Sequence, residues 1–577
     1  MQSAEQCFSA KFVFPPEVPS QGDIPVDGDC LYLAEAGYGF VTDAKSALGE
    51  NGGIPEINNG FVPAEHRKGV LPRYFRVRVP HSGNYTVSVT IACEASEDVV
   101  LFSERRRFVW KEKAEKGAVL THTFTANVCP VIPTGKKEPY PDEAVDLTLI
   151  GEHATFRRIT VEETHSAVTI FLAGDSTVTD QQADSPYLPT ESYCGWGQAL
   201  PLFFRSGATV SNHAHSGFTT EDFLQGGHWE IIKQAMHPGD YVFIQFGHND
   251  EKIPHLAAFS GYRRNLERLI DETKENGGIP VLVTSVSRNL WNAPDGGFND
   301  LLEDWAQACR VIAREKKIAL IDLHEKTKRF FYSLGRTHGS EYCRKYFYPG
   351  DFTHFNDIGG ALIASFVAEE MKKVCPPELS KYLMELPACG EEWKQDPVPE
   401  FPAEFDDLAE SPEQEAVREL SAKGILRSEG RSFCPDAAYS RVNFLASAFI
   451  ALIYLPKTAW NNACADVRGD EWYAGNIQAA AENGFLDPEL LIGGTFKPDA
   501  AILERDALSI LVRMLQDKFE IHKRCGMAAE KLNSLDREER IAAVAGAVHL
   551  NSWNSGRVLT RARAAALLKQ VMAEVLE

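Results

Sequence analysis

The chain has 577 residues, 44% hydrophobic and 24% charged, with 59 Lys plus Arg against 81 Asp plus Glu and a formal net charge of −22. That length predicts three or four domains, while the acidity, uninterrupted by any long basic tract, argues against a nucleic-acid substrate or a polybasic membrane anchor. No run reaches the roughly eighteen apolar residues of a membrane span, and the 12 cysteines, scattered without C-x-x-C pairs, point to neither a disulfide scaffold nor a zinc module. The opening Met1 to Cys7 lacks the charged and apolar regions of a signal peptide, so the sequence as it stands reads as cytoplasmic; a trimmed export signal would make it secreted or surface-bound.

Residues 1–165 read as all-β. The runs Tyr74–Val79, Tyr85–Ile91, Val119–Phe124 and Phe156–Val161 alternate apolar with polar residues, separated by turn formers such as Pro80-His81-Ser82-Gly83-Asn84. This is the pattern of a β-sandwich. Tyr38 and Phe40 fit a ligand-lining role and a core role equally.

Residues 166–390 change to strand–helix alternation. Val168–Leu172, Tyr241–Ile244, Ile279–Thr284 and Ile318–Asp322 are predicted buried strands, and Gly261–Asn276 and Leu301–Lys317 are predicted helices. Repeated β–α order predicts a central α/β three-layer domain, a parallel sheet with helices on both faces. Such folds carry their chemistry beyond the carboxyl ends of the strands. Ala173-Gly174-Asp175-Ser176-Thr177 and Gln245-Phe246-Gly247-His248-Asn249-Asp250 fall there, and Asp351-Phe352-Thr353-His354 comes later in the chain.

Serine is a poor nucleophile unless a base takes its proton and a third group orients that base. Ser176, His354 and Asp351 fit these roles, the last two being three residues apart and able to share one side of a turn. An oxyanion needs fixed donors; the candidates are the N–H groups of Ser176 and Gly217 and the Asn249 amide. His248, Trp196 and Trp291 are candidates for touching substrate, and Asn292 for shaping the pocket. His213 and His215 have no Cys or carboxylate ligand nearby in sequence, so no metal is expected. Read structurally, the same segments would supply turns and caps, with Asp351 capping a helix over Ile358–Met371.

Beyond a Pro-rich, acidic linker over 391–410, residues 411–577 read as an all-α repeat module. Phe433-Cys434-Pro435-Asp436 before Ser440-Arg441 is echoed by Phe496-Lys497-Pro498-Asp499 before Glu504-Arg505, and more weakly by Leu559-Thr560-Arg561. Each arginine is expected to open an apolar helix.

The Gly-Asp-Ser-Thr, Gly-His-Asn-Asp and Asp-x-Thr-His segments, with Gly195-Trp196-Gly197, resemble the SGNH (GDSL-type) hydrolase family, in its rhamnogalacturonan acetylesterase-like branch. The resemblance covers Thr169 to about Pro377. It implies that Ser176, Gly217, Asn249 and His354 are the family's four defining residues and that Asp351 completes the triad. It further implies a serine carbohydrate esterase that removes O-acetyl groups from plant cell-wall polysaccharide or oligosaccharide, foremost pectic rhamnogalacturonan, with no cofactor. A lipase-like acyl esterase and a non-catalytic glycan- or wall-binding protein are the alternatives. The N-terminal region is similar to galactose-binding-like sandwiches, and the C-terminal repeats are similar to S-layer homology repeats, whose family holds cell-wall polymers. Because the family's Thr-Arg-Ala-Glu stretch is altered to Ser-Arg-Val-Asn and Glu-Arg-Asp-Ala, a structural or interaction role is expected ahead of wall binding.

Overall fold

The computed structural model describes residues 7–28, 30–41, 61–63, 69–132, 137–385, 394, 401–408, 411–428, 430–550 and 553–576. Most of the expected linker over 391–410, and Met1 to Gln6 of the expected signal-free start, lie outside these residues.

The N-terminal region forms two five-stranded sheets. One runs Ile24–Pro25, Ser9–Val13, Ala154–Glu163, Gly83–Cys93, Val119–Val128; the other runs Tyr38–Val41, Arg73–Arg78, Ala144–Ile150, Glu97–Ser103, Arg107–Ala114. The pairing is antiparallel except between the first two strands of the first sheet. Alternation decides the faces: Tyr85, Val87, Val89 and Ile91 are buried while Thr86, Ser88 and Thr90 between them stay part-exposed. They pack against Phe75, Leu101 and Leu147 of the other sheet. Tyr38 and Phe40 are part-buried aromatics packed against this core, with ring centroids 5.0 Å from Phe12 and 5.2 Å from Phe75.

The central sheet has five parallel strands, β1 (Val168–Gly174), β2 (Ala208–Asn212), β3 (Tyr241–Gln245), β4 (Ile279–Val283) and β5 (Ala319–Ile321), in the order β2-β1-β3-β4-β5. Its helices are α1 (Thr220–Gln225), α2 (His228–Ala235), α3 (Arg263–Glu275), α4 (Glu303–Lys316), α5 (Leu323–His338) and α6 (Asp357–Val374). Neighbouring residues along each strand face opposite layers. Phe171, Val242 and Leu282 meet Trp229 of α2, Leu266 and Ile270 of α3 and Ile312 of α4. Leu172, Phe243 and Val281 meet Phe331 of α5 and Ile363 and Val367 of α6. The sheet is therefore covered on both faces. The cap of α6 is Asn356, whose side chain accepts from the N–H groups of Ile358 and Gly359; Asp351 is not a cap and is engaged elsewhere.

The C-terminal region is helical: α7 (Gln414–Ala422), α8 (Arg441–Ala451), α9 (Ala474–Glu482), α10 (Glu504–Lys518), α11 (Arg537–Ala547) and α12 (Arg561–Val575), with two short helices between α10 and α11. Its repeats close on one another in a ring. Tyr439 N–H donates to Leu559 C=O, Leu559 N–H to Ile502 C=O and Ile502 N–H to Tyr439 C=O, each at 2.9 Å. This pseudo-threefold register corrects the sequence alignment by one residue in the second copy. Arg441 and Arg561 are matched by Glu504, not Arg505, because backbone pairing rather than residue type sets the equivalence. Glu504 is fully buried and receives Arg557 Nε and Nη2 at 2.9 Å.

Both flanking regions grip the central one. Arg106, at the tip of the hairpin joining Glu97–Ser103 to Arg107–Ala114, is buried against Asp357, donating to both carboxylate oxygens at 2.9 and 2.7 Å. Arg107 pairs with Asp180 at 2.8 Å. On the other side, Asn292 and Asn476 exchange two hydrogen bonds at 2.9 and 3.0 Å. Leu290, Ala293 and Leu301 sink into the core of the helical region.

Candidate active site

Ser176 follows the carboxyl end of β1 in a turn held from beneath. Asp175 C=O accepts from Val178 and Thr179 N–H, both at 3.1 Å, and its carboxylate accepts from Thr177 N–H at 2.9 Å and Thr177 Oγ1 at 2.8 Å. Gln181 Nε2 donates to Ser176 C=O at 2.7 Å. The backbone at the Ser176 turn is thus fixed on both sides.

The loop 348–354 brings the partners. Tyr348 N–H donates to His354 C=O at 3.0 Å and Asp351 N–H to Tyr348 C=O at 2.9 Å. In this closed loop Asp351 Oδ1 accepts from Thr353 N–H at 2.7 Å and His354 N–H at 3.0 Å, leaving Oδ2 2.8 Å from His354 Nδ1. His354 Nε2 lies 2.8 Å from Ser176 Oγ. An imidazole that donates from Nδ1 to a carboxylate carries its free lone pair on Nε2 and can take a hydroxyl proton there. Burial works to raise the Asp351 carboxyl, but the His354 ring and the two N–H donors outweigh it and hold it below its ordinary value.

Gly217 lies in the loop after β2, at φ +83°, a left-handed conformation that glycine adopts without strain. Among the described residues, neither the Ser176 nor the Gly217 N–H meets an acceptor. Asn249 Nδ2 donates to Phe218 C=O at 3.0 Å, and Lys252 Nζ holds its Oδ1 at 2.9 Å. An amide nitrogen has two hydrogens, so one is left for a ligand while the other ties Asn249 to the residue after Gly217. The turn carrying Asn249 needs Gly247, at φ +138°, where a Cβ would collide with Ser285 Oγ.

Four sequence candidates take other places. Trp196 is wholly buried, its indole N–H on Gln245 Oε1 at 2.7 Å, and so does not meet a substrate. His248 is buried with Nδ1 3.3 Å from Asp175 Oδ2. Burial lowers its ring to about 4 against the pull of Asp175, making it a neutral support under the Ser176 turn. Trp291 packs its ring against Tyr332 and Phe298, at 6.0 and 5.3 Å, and donates to Asn289 Oδ1. Asn292 is buried in the contact with Asn476. Both lie beyond a strand end, as expected, but packing turns Asn292 inward and leaves Trp291 only part-exposed.

Tyr193, Tyr348 and Asp250 were not legible as site residues. Tyr193 and Tyr348 stack at 3.6 Å, part-exposed, and the ring centroids of Tyr193 and His354 are 5.9 Å apart with the planes near perpendicular; Tyr193 adjoins the Gly-Trp-Gly stretch, which is the one hint. Asp250 accepts from Thr220 N–H at 2.9 Å and Thr220 Oγ1 at 2.6 Å and pins the Asn249 turn to α1. Burial pushes its carboxyl up to about 7. His213 Nε2 lies 2.9 Å from Ser211 Oγ and His215 Nδ1 donates to Ser216 C=O at 2.9 Å. Asp300, Glu303 and His324 also converge, but Lys328 Nζ already supplies the cation there, 3.1 and 2.6 Å from the two carboxylates.

Residues 172–362 match the GDSL-like lipase/acylhydrolase family. Rhamnogalacturonan acetylesterase RhgT of Bacillus subtilis (strain 168) is 34% identical over 224 residues, which is 36% of this chain and 92% of that protein. Probable rhamnogalacturonan acetylesterase YesY of the same organism is 31% identical over 212 residues, 36% of this chain and 94% of that protein. Among solved structures, the Bacillus subtilis protein YxiM is 23% identical, covering 63% of this chain and 98% of that one with a TM-score of 0.35. With residues 172–362 matched and most of the length of RhgT and YesY covered, the chain belongs to the GDSL-like lipase/acylhydrolase family and is a carboxylic ester hydrolase.

Proposed function

We propose that this protein is a serine carbohydrate acetylesterase that removes O-acetyl groups from pectic rhamnogalacturonan or its oligosaccharides. The observation that carries the reading is the unbroken relay from Asp351 through His354 to Ser176, 2.8 Å at each step. Ser176 Oγ attacks the acetyl carbonyl as its proton passes to His354 Nε2, and Asp351 steadies the imidazolium. The N–H groups of Ser176 and Gly217 and the second Asn249 amide hydrogen face the developing oxyanion. His354 then protonates the departing sugar hydroxyl. In the second half it takes a proton from water, whose oxygen attacks the acetyl-serine, and returns that proton to Ser176 Oγ as the acyl bond breaks and acetate leaves. The acetylesterase names of RhgT and YesY support the substrate class, and the part-exposed Tyr193–Tyr348 pair offers an aromatic face beside His354 on which a sugar ring can lie.

The flanks fit supporting roles: a galactose-binding-like sandwich that walls the cleft through its Arg106 hairpin, and an S-layer-like helical module docked on residues 290–301. The test is acetate release from acetylated rhamnogalacturonan, homogalacturonan and xylan by wild type and Ser176→Ala. Release by wild type alone, greatest from rhamnogalacturonan, is expected. Equal or better hydrolysis of long-chain acyl esters would move the assignment to a lipase-like esterase, and full activity in Ser176→Ala would end it.

A further inference from the structure

The hairpin that plugs the sandwich into the hydrolase carries three consecutive arginines, and only two of them are neutralised. Arg106 is bound to Asp357, to the carbonyls of Tyr193 and Gln181 and to Gln198. Arg107 is bound to Asp180 and to Val210 C=O. Arg105, the first of the three, is part-exposed and has no ion pair or side-chain hydrogen bond among the described residues. Its backbone is fixed, its carbonyl accepting from Gln198 Nε2 at 3.4 Å, and the residues on either side sit at φ +52° and +63°. The backbone that carries the guanidinium is therefore held by the fold.

The acidic group whose charge Arg105 feels most is Asp180, whose carboxylate is already shared by Arg107 and Asn212. Burial lowers the Arg105 guanidinium from its ordinary value against that pull. A guanidinium so desolvated is costly to leave unpaired. Its charge also reaches the histidines at the Gly217 loop: burial lowers His213, His215 and His228, and Arg105 adds to each. His215 is two residues from Gly217. The same loop is joined to the nucleophile turn by Gln181, which receives Arg106 Nε on its carbonyl and Ser216 Oγ on Oε1, and donates from Nε2 to Ser176 C=O. Gln198 Nε2 donates to both Arg105 C=O and Gln181 C=O, at 3.4 and 3.0 Å, so the Arg105 backbone is two side chains from the turn that carries Ser176.

We infer that Arg105, supplied by the N-terminal sandwich, is a specificity residue that binds the carboxylate of a uronic acid residue in the acetylated glycan. The inference rests on the proposed pectic substrate. A planar guanidinium meets a carboxylate in paired, charge-assisted hydrogen bonds, which a neutral glycan such as acetylated xylan cannot make. The three-arginine tip then has two functions, with Arg106 and Arg107 clamping the sandwich in place and Arg105 reading the substrate's charge.

The experiment uses the full chain, with p-nitrophenyl acetate as reporter, unacetylated oligogalacturonate as competitor, and acetylated rhamnogalacturonan and xylan oligosaccharides as substrates. Oligogalacturonate is expected to inhibit wild type competitively, its methyl ester to inhibit weakly, and Arg105→Met to raise the inhibition constant roughly tenfold or more, with Arg105→Lys between them. The ratio of kcat/KM for the uronate over the neutral substrate should fall by a similar factor in Arg105→Met, through KM. Equal inhibition by oligogalacturonate and its methyl ester in wild type overturns the inference without any variant, so a misfolded substitution does not rescue it. Losses in Arg105→Met that are equal for xylan and rhamnogalacturonan overturn it too, because they mark a structural role. If wild type binds oligogalacturonate through its carboxylates yet releases no acetate from rhamnogalacturonan, the acetylesterase reading fails and the Arg105 site stands.

Discussion

Replacing Asp351 with Asn removes one charge and almost no volume, and the local geometry decides which hydrogen bonds survive the change. Asp351 Oδ1 accepts from two backbone N–H groups, at 2.7 and 3.0 Å. The asparagine keeps both bonds only by placing its carbonyl oxygen there, which turns its NH₂ toward His354 Nδ1, 2.8 Å away in the native pair. Nδ1 must then accept, the ring proton moves to Nε2, and Nε2 can no longer take the proton of Ser176. The opposite rotamer restores an acceptor for Nδ1 but sets NH₂ against two N–H donors, forfeiting two bonds at ~1 kcal/mol each. The imidazolium also loses its counter-charge in either rotamer. Together these predict a fall in kcat/KM on the order of 10⁴, or ~5 kcal/mol of transition-state stabilisation. The assay is steady-state hydrolysis of p-nitrophenyl acetate by Asp351→Asn, with circular dichroism and thermal melting to show an intact fold. A folded variant that keeps more than about a tenth of wild-type kcat/KM would refute the assignment of Asp351 as the residue that sets the His354 tautomer.

Asn249→Ala deletes both the free amide hydrogen and the tie to Phe218 C=O, and kcat for the same ester should drop by roughly 10²–10³; a change confined to KM would remove Asn249 from the oxyanion site. Arg106→Met leaves Asp357 buried without its cation, so urea unfolding should register a loss of about 3–5 kcal/mol; an unmoved midpoint would show that the hairpin is not holding the sandwich to the hydrolase. Burial, the largest factor for both, lowers His213 to about 3 and His228 to about 4. Because the unfolded chain takes up these protons near 6.5 and the folded one does not, stability is constant above that pH and falls from there down toward pH 4. His228 alone contributes on the order of 3 kcal/mol of that decline, so urea melts at pH 7.5 and pH 5 should differ, and His228→Phe or His228→Leu should remove about half of the difference that the two histidines make; an unchanged difference would show that His228 is charged in the folded protein.

Local chemistry was enough for the strands and for much of the site. The apolar runs of β1, β3, β4 and β5 left no alternative to buried parallel strands, and β2 was missed because Ala208-Thr209-Val210-Ser211-Asn212 is short and half polar. The three-residue spacing of Asp351 and His354 was sufficient to pair them, since it is satisfied within one turn. Trp196 and His248 are buried, and Trp291 is part-buried against its neighbours, for the converse reason. Position beyond a strand end says where a residue starts, and packing against Gln245, Tyr332 or Asp175 decides which way it points. The offset of the second C-terminal repeat slipped by one residue because Arg505 imitates Arg441 in type, whereas the ring of backbone hydrogen bonds through Tyr439, Ile502 and Leu559 selects Glu504.

The class of each region and the identity of the triad candidates were determined by the sequence alone, both being set by periodicity and by short-range spacing. Tertiary structure alone decided the contacts between residues far apart in the chain. Ser176 meets His354 across 178 positions and Arg106 meets Asp357 across 251. No local pattern encodes such pairings, because they arise only when separate regions bury their surfaces together and each buried charge must find its counterpart.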